Sequence, residues 1–369
     1  MKENTRKKED VALPPGLERA SSFRIQPYRK IIQYGFLVIT LLIGYRFTLF
    51  VGQLESSGPV ITSRPPGVEA FLPISSLISL KYWLLTGIFN KIHPAGLVLF
   101  LIILGTGILL KKGFCSWVCP IGLLSEILAK IPKTFFGRGL NLPKWLDYPL
   151  RSIKYFLLIF FLWAILAQMD LPSLEKFVYS PYNKVADIKM LKFFTEISAF
   201  ALWVLVGLVF FSVGIPYFWC RYLCPYGALL GSISWLSIMK VKRNEPTCID
   251  CQRCTDACPA RIKVHDSSTI HSDECHCCMK CVDACPVKDT LSLPIVGVKK
   301  KMSRMVYAVL IVLLFLLGTS IARWTGFWQN EISIEEYNLH IEHLDEPWFD
   351  HNRGEVEDIS EGVKLREDQ

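Results

Sequence analysis

Residues 220–227 read CRYLCPYG, and residues 115–122 read CSWVCPIG. Each stretch closes a long apolar run. Cys115, Cys119, Pro120 and Gly122 match Cys220, Cys224, Pro225 and Gly227 at one constant offset. The match extends further: GLVLFLIILGTGILLKKGFCSWVCPIGLL aligns with ALWVLVGLVFFSVGIPYFWCRYLCPYGALL. Both contain an apolar span, a C-x3-C-P motif and a short amphipathic stretch. This reads as an internal parallel repeat whose copies leave the membrane on the same side. Parallel repeats are commonly related by an axis along the membrane normal, which would bring the two cysteine pairs together.

The rest of the chain agrees with a membrane reading. Hydrophobic residues make up 51% of the 369. Five runs approach or exceed the roughly 20 apolar residues that a crossing needs: 31–51, 93–111, 152–171, 194–214 and 304–323. A sixth, 71–90, contains Ser75, Ser76, Ser79 and Lys81 and reads as a helix on the interface or folded against the bundle. The net charge of +8 sits in flanks of these runs, not in a stripe among exposed aromatics, so nucleic acid is not an expected partner. Basic flanks at the N-terminus, at Lys111–Lys154, at Lys240–Arg243 and at Lys299–Lys301 place the N-terminus in the cytoplasm and the C-terminus outside. The four lysines of the 171–193 loop run against that rule. No cleavable signal is expected, because the first apolar run follows about thirty polar residues and is long enough to span.

The dense cysteine block fixes a second module. CIDCQRCTDACP at 248–259 and CHCCMKCVDACP at 275–286 each spell C-x2-C-x2-C-x3-C-P. In the bacterial two-cluster ferredoxin spacing, three close thiolates wrap one cubane and the fourth cysteine reaches the other. Cys248, Cys251, Cys254 and Cys285 are thus expected to hold one [4Fe–4S] cluster. Cys275, Cys278, Cys281 and Cys258 are expected to hold the second. Zinc would use four-ligand groups of looser spacing. Cys277 is left over, and His276 reads as a surface histidine. With this topology all thirteen cysteines lie at or inside the cytoplasmic face, where thiols stay reduced.

The C-x3-C-P pairs are less determined. A spacing of i, i+4 puts both sulfurs on one helix face. Cys115, Cys119, Cys220 and Cys224 could form a third metal or redox centre at the membrane edge. They could instead be redox-active or structural thiols, or small residues that let helices pack closely. Lys111, Lys112 and Arg221 would lower the thiolate pKa under the first two readings.

At these motifs the sequence resembles the membrane-bound polyferredoxins, among them the NapH type and the C-terminal half of the NosR type. The resemblance covers roughly 30–295. It implies electron transfer between the quinone pool, or a cytoplasmic donor, and a respiratory partner outside, in anaerobic respiration at the bacterial inner membrane. RPPGVEAFLPIS at 64–75 also resembles an outer segment of such proteins. Two departures stand out. NosR-type chains carry an outer flavin-binding domain for which residues before 31 leave no room, and NapH-type chains typically stop after the ferredoxin segment.

The expected fold is an all-α multi-span membrane protein of about five helices with a small α+β ferredoxin-like domain. Its parts are a basic N-terminus (1–30), a membrane domain with both repeats and four spans (31–243), the two-cluster domain (244–298), a fifth span (299–324) and an acidic outer tail (325–369). In the tail, Tyr337, Leu339, Ile341 and Leu344 could form one amphipathic element, either a docking surface for an outer redox partner or an extension along the bundle. His340, His343 and His351 are minor metal candidates. Arg46, His93 and Glu196 are the candidates for quinone chemistry, each near the outer leaflet. The expected function is electron relay, as a subunit that could itself oxidise quinol or reduce quinone. The alternatives are a maturation or redox-sensing factor for a periplasmic metalloenzyme, and a structural subunit. No C-x-x-C-H, phosphate loop or dinucleotide fingerprint occurs.

Overall fold

The structure is a computed structural model that describes residues 12–56, 59–131, 142–295, 301–344, 346 and 349. It is mostly helical. Three helices are long and apolar enough to cross a membrane: Gln26–Glu55, Trp145–Gln168 and Arg304–Trp324. A fourth crossing would be made by Ala186–Thr195 with Ala199–Gly214, which meet at an 80° bend. The second apolar run forms Pro94–Leu109, a helix of 16 residues. At 1.5 Å per residue this is about 24 Å, short of the hydrocarbon thickness. The 71–90 run contains a 14-residue helix, Pro73–Thr86, closed by Gly87 in the left-handed conformation. It too is shorter than a straight crossing requires.

The chain divides into two compact units. Met1–Val38, Ile103–Leu158 and Val204–Phe315 form the cysteine-bearing unit. Its ferredoxin segment carries an antiparallel sheet in the order β1 (Lys242–Arg243), β2 (Leu291–Pro294) and β3 (Lys301–Met302). Lys242 faces Ser292, and Leu293 faces Met302. Between β1 and β2 lie the short helices Arg253–Asp256 and Lys280–Ala284, each directly after a cysteine loop. The segment is fastened to helices of its own unit by buried polar contacts. Lys280 reaches Glu126, itself paired with Arg29 at 2.8 Å, at a distance of 2.9 Å, and Glu274 pairs with Lys154.

Ile39–Ile102, Ile159–Trp203 and Leu316–Gln369 form the second unit. Its core gathers Phe47, Phe50, Ile78, Ile165, Leu174, Tyr337 and Phe349, among others. The tail helix Ile334–Glu342 is capped by Ser333, whose hydroxyl accepts from the Glu336 N–H. It is built into this core: Tyr337 and Leu344 are buried, Phe50 meets the Tyr337 ring edge-on, and Lys184 pairs with Glu336. Of the two roles expected for the tail, this part takes that of a packed extension. Leu339 is exposed and Ile341 only partly buried, so the amphipathic stripe is narrower than expected. The last turn of the Trp145–Gln168 helix widens to a π-turn, which leaves carbonyls without their ordinary partners. Lys81 donates to those of Ile165, Leu166 and Met169.

Candidate functional site

The two cysteine loops of the ferredoxin segment take the same backbone path. Asp250 and Gln252 in the first, and Cys277 and Met279 in the second, adopt positive φ of 50°, 57°, 49° and 59°. Alternating left-handed residues curl a loop so that successive N–H groups face inward, a form suited to anions. Around each loop lies a cavity. One is lined by Cys248, Cys251, Cys254 and Cys285. The other is lined by Cys258, Cys275, Cys278 and Cys281, with Cys277 and His276 also at its wall. The distant cysteine thus crosses over in both directions, as the C-x2-C-x2-C-x3-C-P spacing requires.

These donors surround a space rather than a point. Among the described residues no three His, Cys, Asp or Glu side chains stand close enough to clasp one metal ion. No disulfide joins any of the thirteen cysteines. Soft donors spread around a cavity, with inward N–H groups, fit an anionic multi-iron cluster better than a single zinc ion. Burial pushes the free thiol of Cys254 up to about 11 and that of Cys258 up to about 12. A thiol so placed is held as thiolate only by a cation or cluster. Cys277, the leftover cysteine, is buried. His276 departs from expectation: it is half-buried, with Nδ1 shielded from solvent and without a partner among the described residues.

The two C-x3-C-P motifs also share a local path. The Cys119 N–H bonds the Phe114 carbonyl, and the Cys224 N–H bonds the Trp219 carbonyl, both at 3.0 Å and both five residues back. Each motif is thereby a π-type turn, closed by a proline that starts a nine-residue helix, Pro120–Leu128 or Pro225–Ile233. The motifs face each other. Ser125 lies 3.4 Å from the Cys220 sulfur, the Phe114 and Tyr226 rings are 6.1 Å apart, and Cys115 feels the charge of both Cys220 and Cys224.

Here one expectation is overturned. The basic neighbours do not produce low thiol pKa values. Burial pushes Cys115 up to about 12 and Cys220 up to about 11, against the weaker pull of Lys112. Arg221 is engaged by Asp147 at 2.8 Å, and Lys111 Nζ donates to the Ile270 carbonyl. Such thiols are poor nucleophiles near neutral pH.

The quinone candidates do not come together. Among the described residues no hydrogen bond or ion pair joins Arg46, His93 and Glu196. Arg46 is exposed on its helix. Glu196 is exposed and sits at the end of Ala186–Thr195, at the 80° bend before Ala199–Gly214. His93 is buried within the protein. Its Nε2 donates to the Asn183 carbonyl at 2.5 Å, and its Nδ1 lies 3.6 Å from Glu69. That carboxylate is part of a network that sequence reasoning missed. Arg64 bonds Glu69 at 2.7 Å and Asp187 at 2.8 Å, and Glu69 also accepts the Gly96 N–H at 2.8 Å. All four charged or titratable groups are buried. Burial works to raise the Glu69 pKa, but Arg64 and His93 outweigh it and the carboxyl stays below its ordinary range. Arg64 and Glu69 stand five residues apart in an otherwise apolar segment, which was the available signal. In the tail, His340 is buried and His343 half-buried, and among the described residues they form no metal group. His351 lies outside the described residues.

Comparison with known proteins agrees with the cysteine geometry. A 4Fe-4S binding domain matches the chain twice, at 92–143 and 197–244, and a 4Fe-4S dicluster domain matches 240–286. YccM of Escherichia coli, whose name proposes electron transport, is 40% identical over 84% of this chain and 88% of its own length. This chain belongs to the membrane-bound polyferredoxin family. The ferredoxin-type protein NapH of Haemophilus influenzae is 25% identical over 63% of this polyferredoxin and 74% of NapH. The regulatory protein NosR of Stutzerimonas stutzeri is 29% identical over 44% of the chain and 22% of NosR. No solved structure matches. The polyferredoxin is therefore a membrane protein with iron–sulfur domains that serves electron transport.

Proposed function

We propose that this polyferredoxin relays single electrons at the cytoplasmic face of the inner membrane, between the quinone pool or a cytoplasmic donor and a respiratory partner. Cys248, Cys251, Cys254 and Cys285 hold one [4Fe–4S] cluster, and Cys258, Cys275, Cys278 and Cys281 hold another. The observation that carries this reading is the pair of cavities, each lined by three neighbouring cysteines and one distant one. When bound, the clusters supply one-electron chemistry. The chain positions them, withholds water and aims N–H groups at their charge.

Cys115, Cys119, Cys220 and Cys224 hold a third centre at the membrane edge. Support comes from their convergence: Ser125, on the helix that follows the first motif, lies 3.4 Å from the Cys220 sulfur, and the Phe114 and Tyr226 rings are 6.1 Å apart. The N-terminus and the cluster domain (244–298) lie in the cytoplasm, and the tail lies outside. Iron and acid-labile sulfide, with EPR on protein purified without oxygen, test the proposal. About eight irons from two cubanes would leave the C-x3-C-P pairs as thiols. Clearly more than eight, with a signal lost in Cys119→Ser and Cys224→Ser, supports the third centre. The likeness to NosR, named as regulatory, favours a second reading as a maturation or redox-sensing factor. Clusters inert to quinones, with an assembly defect in a partner after deletion, would select it.

A further inference from the structure

The second cysteine loop is gripped from outside its cavity. Ser116 Oγ donates to the His276 carbonyl at 2.5 Å, Trp117 Nε1 to the Cys277 carbonyl at 3.2 Å, and Gln26 Nε2 to the Cys278 carbonyl at 2.9 Å. Three successive carbonyls are thus caught by three side chains. In a trans peptide the C=O and the following N–H point opposite ways, and the structure has no cis peptide among its described residues. The N–H groups of Cys277, Cys278 and Met279 therefore face away from the three donors. These residues are buried and line the second cavity. Among the described residues no acceptor takes their N–H groups. Buried N–H groups are rarely left unpaired, so an anionic occupant of the cavity accounts for them.

The donors are themselves fixed. Ser116 and Trp117 lie between Cys115 and Cys119 of the first membrane-edge motif. The Ser116 carbonyl accepts from Arg29 Nη1 and Gln33 Nε2, both at 2.9 Å. Trp117 is fully buried, its ring 5.4 Å from that of Tyr307. The first loop repeats the backbone conformation of the second but not the grip. Among the described residues no side chain donates to the carbonyls of Ile249, Asp250 or Cys251, and Asp250 and Gln252 are exposed.

We propose that Ser116, Trp117 and Gln26 are positioning residues that hold the N–H groups of Cys277, Cys278 and Met279 toward the second cavity. They thereby set the potential of the group bound there, a control the first cavity lacks. The proposal rests on the reading that the eight ferredoxin cysteines hold clusters. Donors aimed at an anionic group favour its more negative, reduced form, so they raise its midpoint potential.

Trp117→Phe keeps an aromatic ring and removes the N–H, and Gln26→Leu removes a donor at a half-buried position. Iron per chain is measured first on anaerobically purified full-length protein. An EPR-monitored redox titration follows, with Cys254→Ser identifying the signal of the second site. The expected result is unchanged iron and a lower midpoint at the second site only. The shift corresponds to roughly a tenfold change in the reduced-to-oxidised ratio per donor lost, about 59 mV for one electron. An unmoved midpoint, or equal shifts at both sites, overturns the proposal while leaving the cluster reading in place. Wild-type protein without clusters overturns both. If Trp117→Phe loses iron, Gln26→Leu decides on the same criteria.

Discussion

Gly122 packs so closely on the Cys115 carbonyl that a β-carbon at this position would overlap its oxygen. The matching position in the other motif is roomier: a β-carbon at Gly227 would meet nothing nearer than 3.6 Å, an ordinary contact. The motifs share sequence, but only one turn is closed to a methyl group. Gly122→Ala is expected to force that turn open, destabilise the protein by about 1–3 kcal/mol and lower the iron of the proposed third centre. Gly227→Ala is expected to cost under about 1 kcal/mol. Thermal melts and iron content of the two variants, side by side, check this asymmetry.

Cys285→Ser and Cys251→Ser, at opposite ends of the ferredoxin segment, should remove the same EPR signal, because both residues line one cavity. Cys258→Ser should remove the other signal, together with Cys275→Ser. Loss grouped by sequence neighbourhood, with Cys258→Ser behaving like Cys251→Ser, would refute the crossed pairing. Cys277→Ala should leave the iron count unchanged, although Cys277 also lines the second cavity.

The Arg29–Glu126 pair gives a pH test. Burial opposes ionisation of Glu126, yet Arg29 and then Lys280 hold its pKa down at about 2 from an ordinary 4.5. A carboxylate depressed on folding stabilises the protein above its unfolded pKa, and that contribution fades as pH falls from 4.5 toward 2. The melting temperature of detergent-purified protein should drop over this window more steeply than that of Glu126→Gln. At neutral pH Glu126→Gln should itself be less stable by about 3–5 kcal/mol, since it leaves a buried guanidinium without its charge partner.

Tyr337 tests whether the tail is structural. It is buried, its hydroxyl accepts from Asn330 Nδ2 at 2.7 Å, and its ring meets Phe50. Tyr337→Ala should lower stability by about 3–5 kcal/mol, read as a fall in melting temperature. A tail that served only to dock a partner would show no such fall.

The cysteines were legible because cluster ligation imposes a spacing, and a spacing is visible along the chain. Cys285 could be assigned across the segment to Cys248 by the motif alone. The Arg64–Asp187 bond was not legible, because it joins residues 123 positions apart and each looks like an ordinary charge locally. Arg221 shows the opposite failure. Its nearness in sequence to Cys220 suggested an electrostatic role toward the thiol, but the fold gives its guanidinium to Asp147. Spans were read from apolar length. That measure does not register where a run kinks, as it does between Thr195 and Ala199.

The core of the second unit combines Phe50, Ile78, Ile165 and Leu174 with Tyr337 and Phe349. Ribosomes make the first of these residues long before the last, and domains generally fold as they emerge. This one has to wait: its core lacks Tyr337, Leu344 and Phe349 until translation has passed residue 349. The cysteine segments are all synthesised before then. The order of synthesis therefore leaves a period in which iron can be loaded while the second unit is still open. A chain released before Tyr337 would keep all thirteen cysteines yet expose a hydrophobic core to proteolysis.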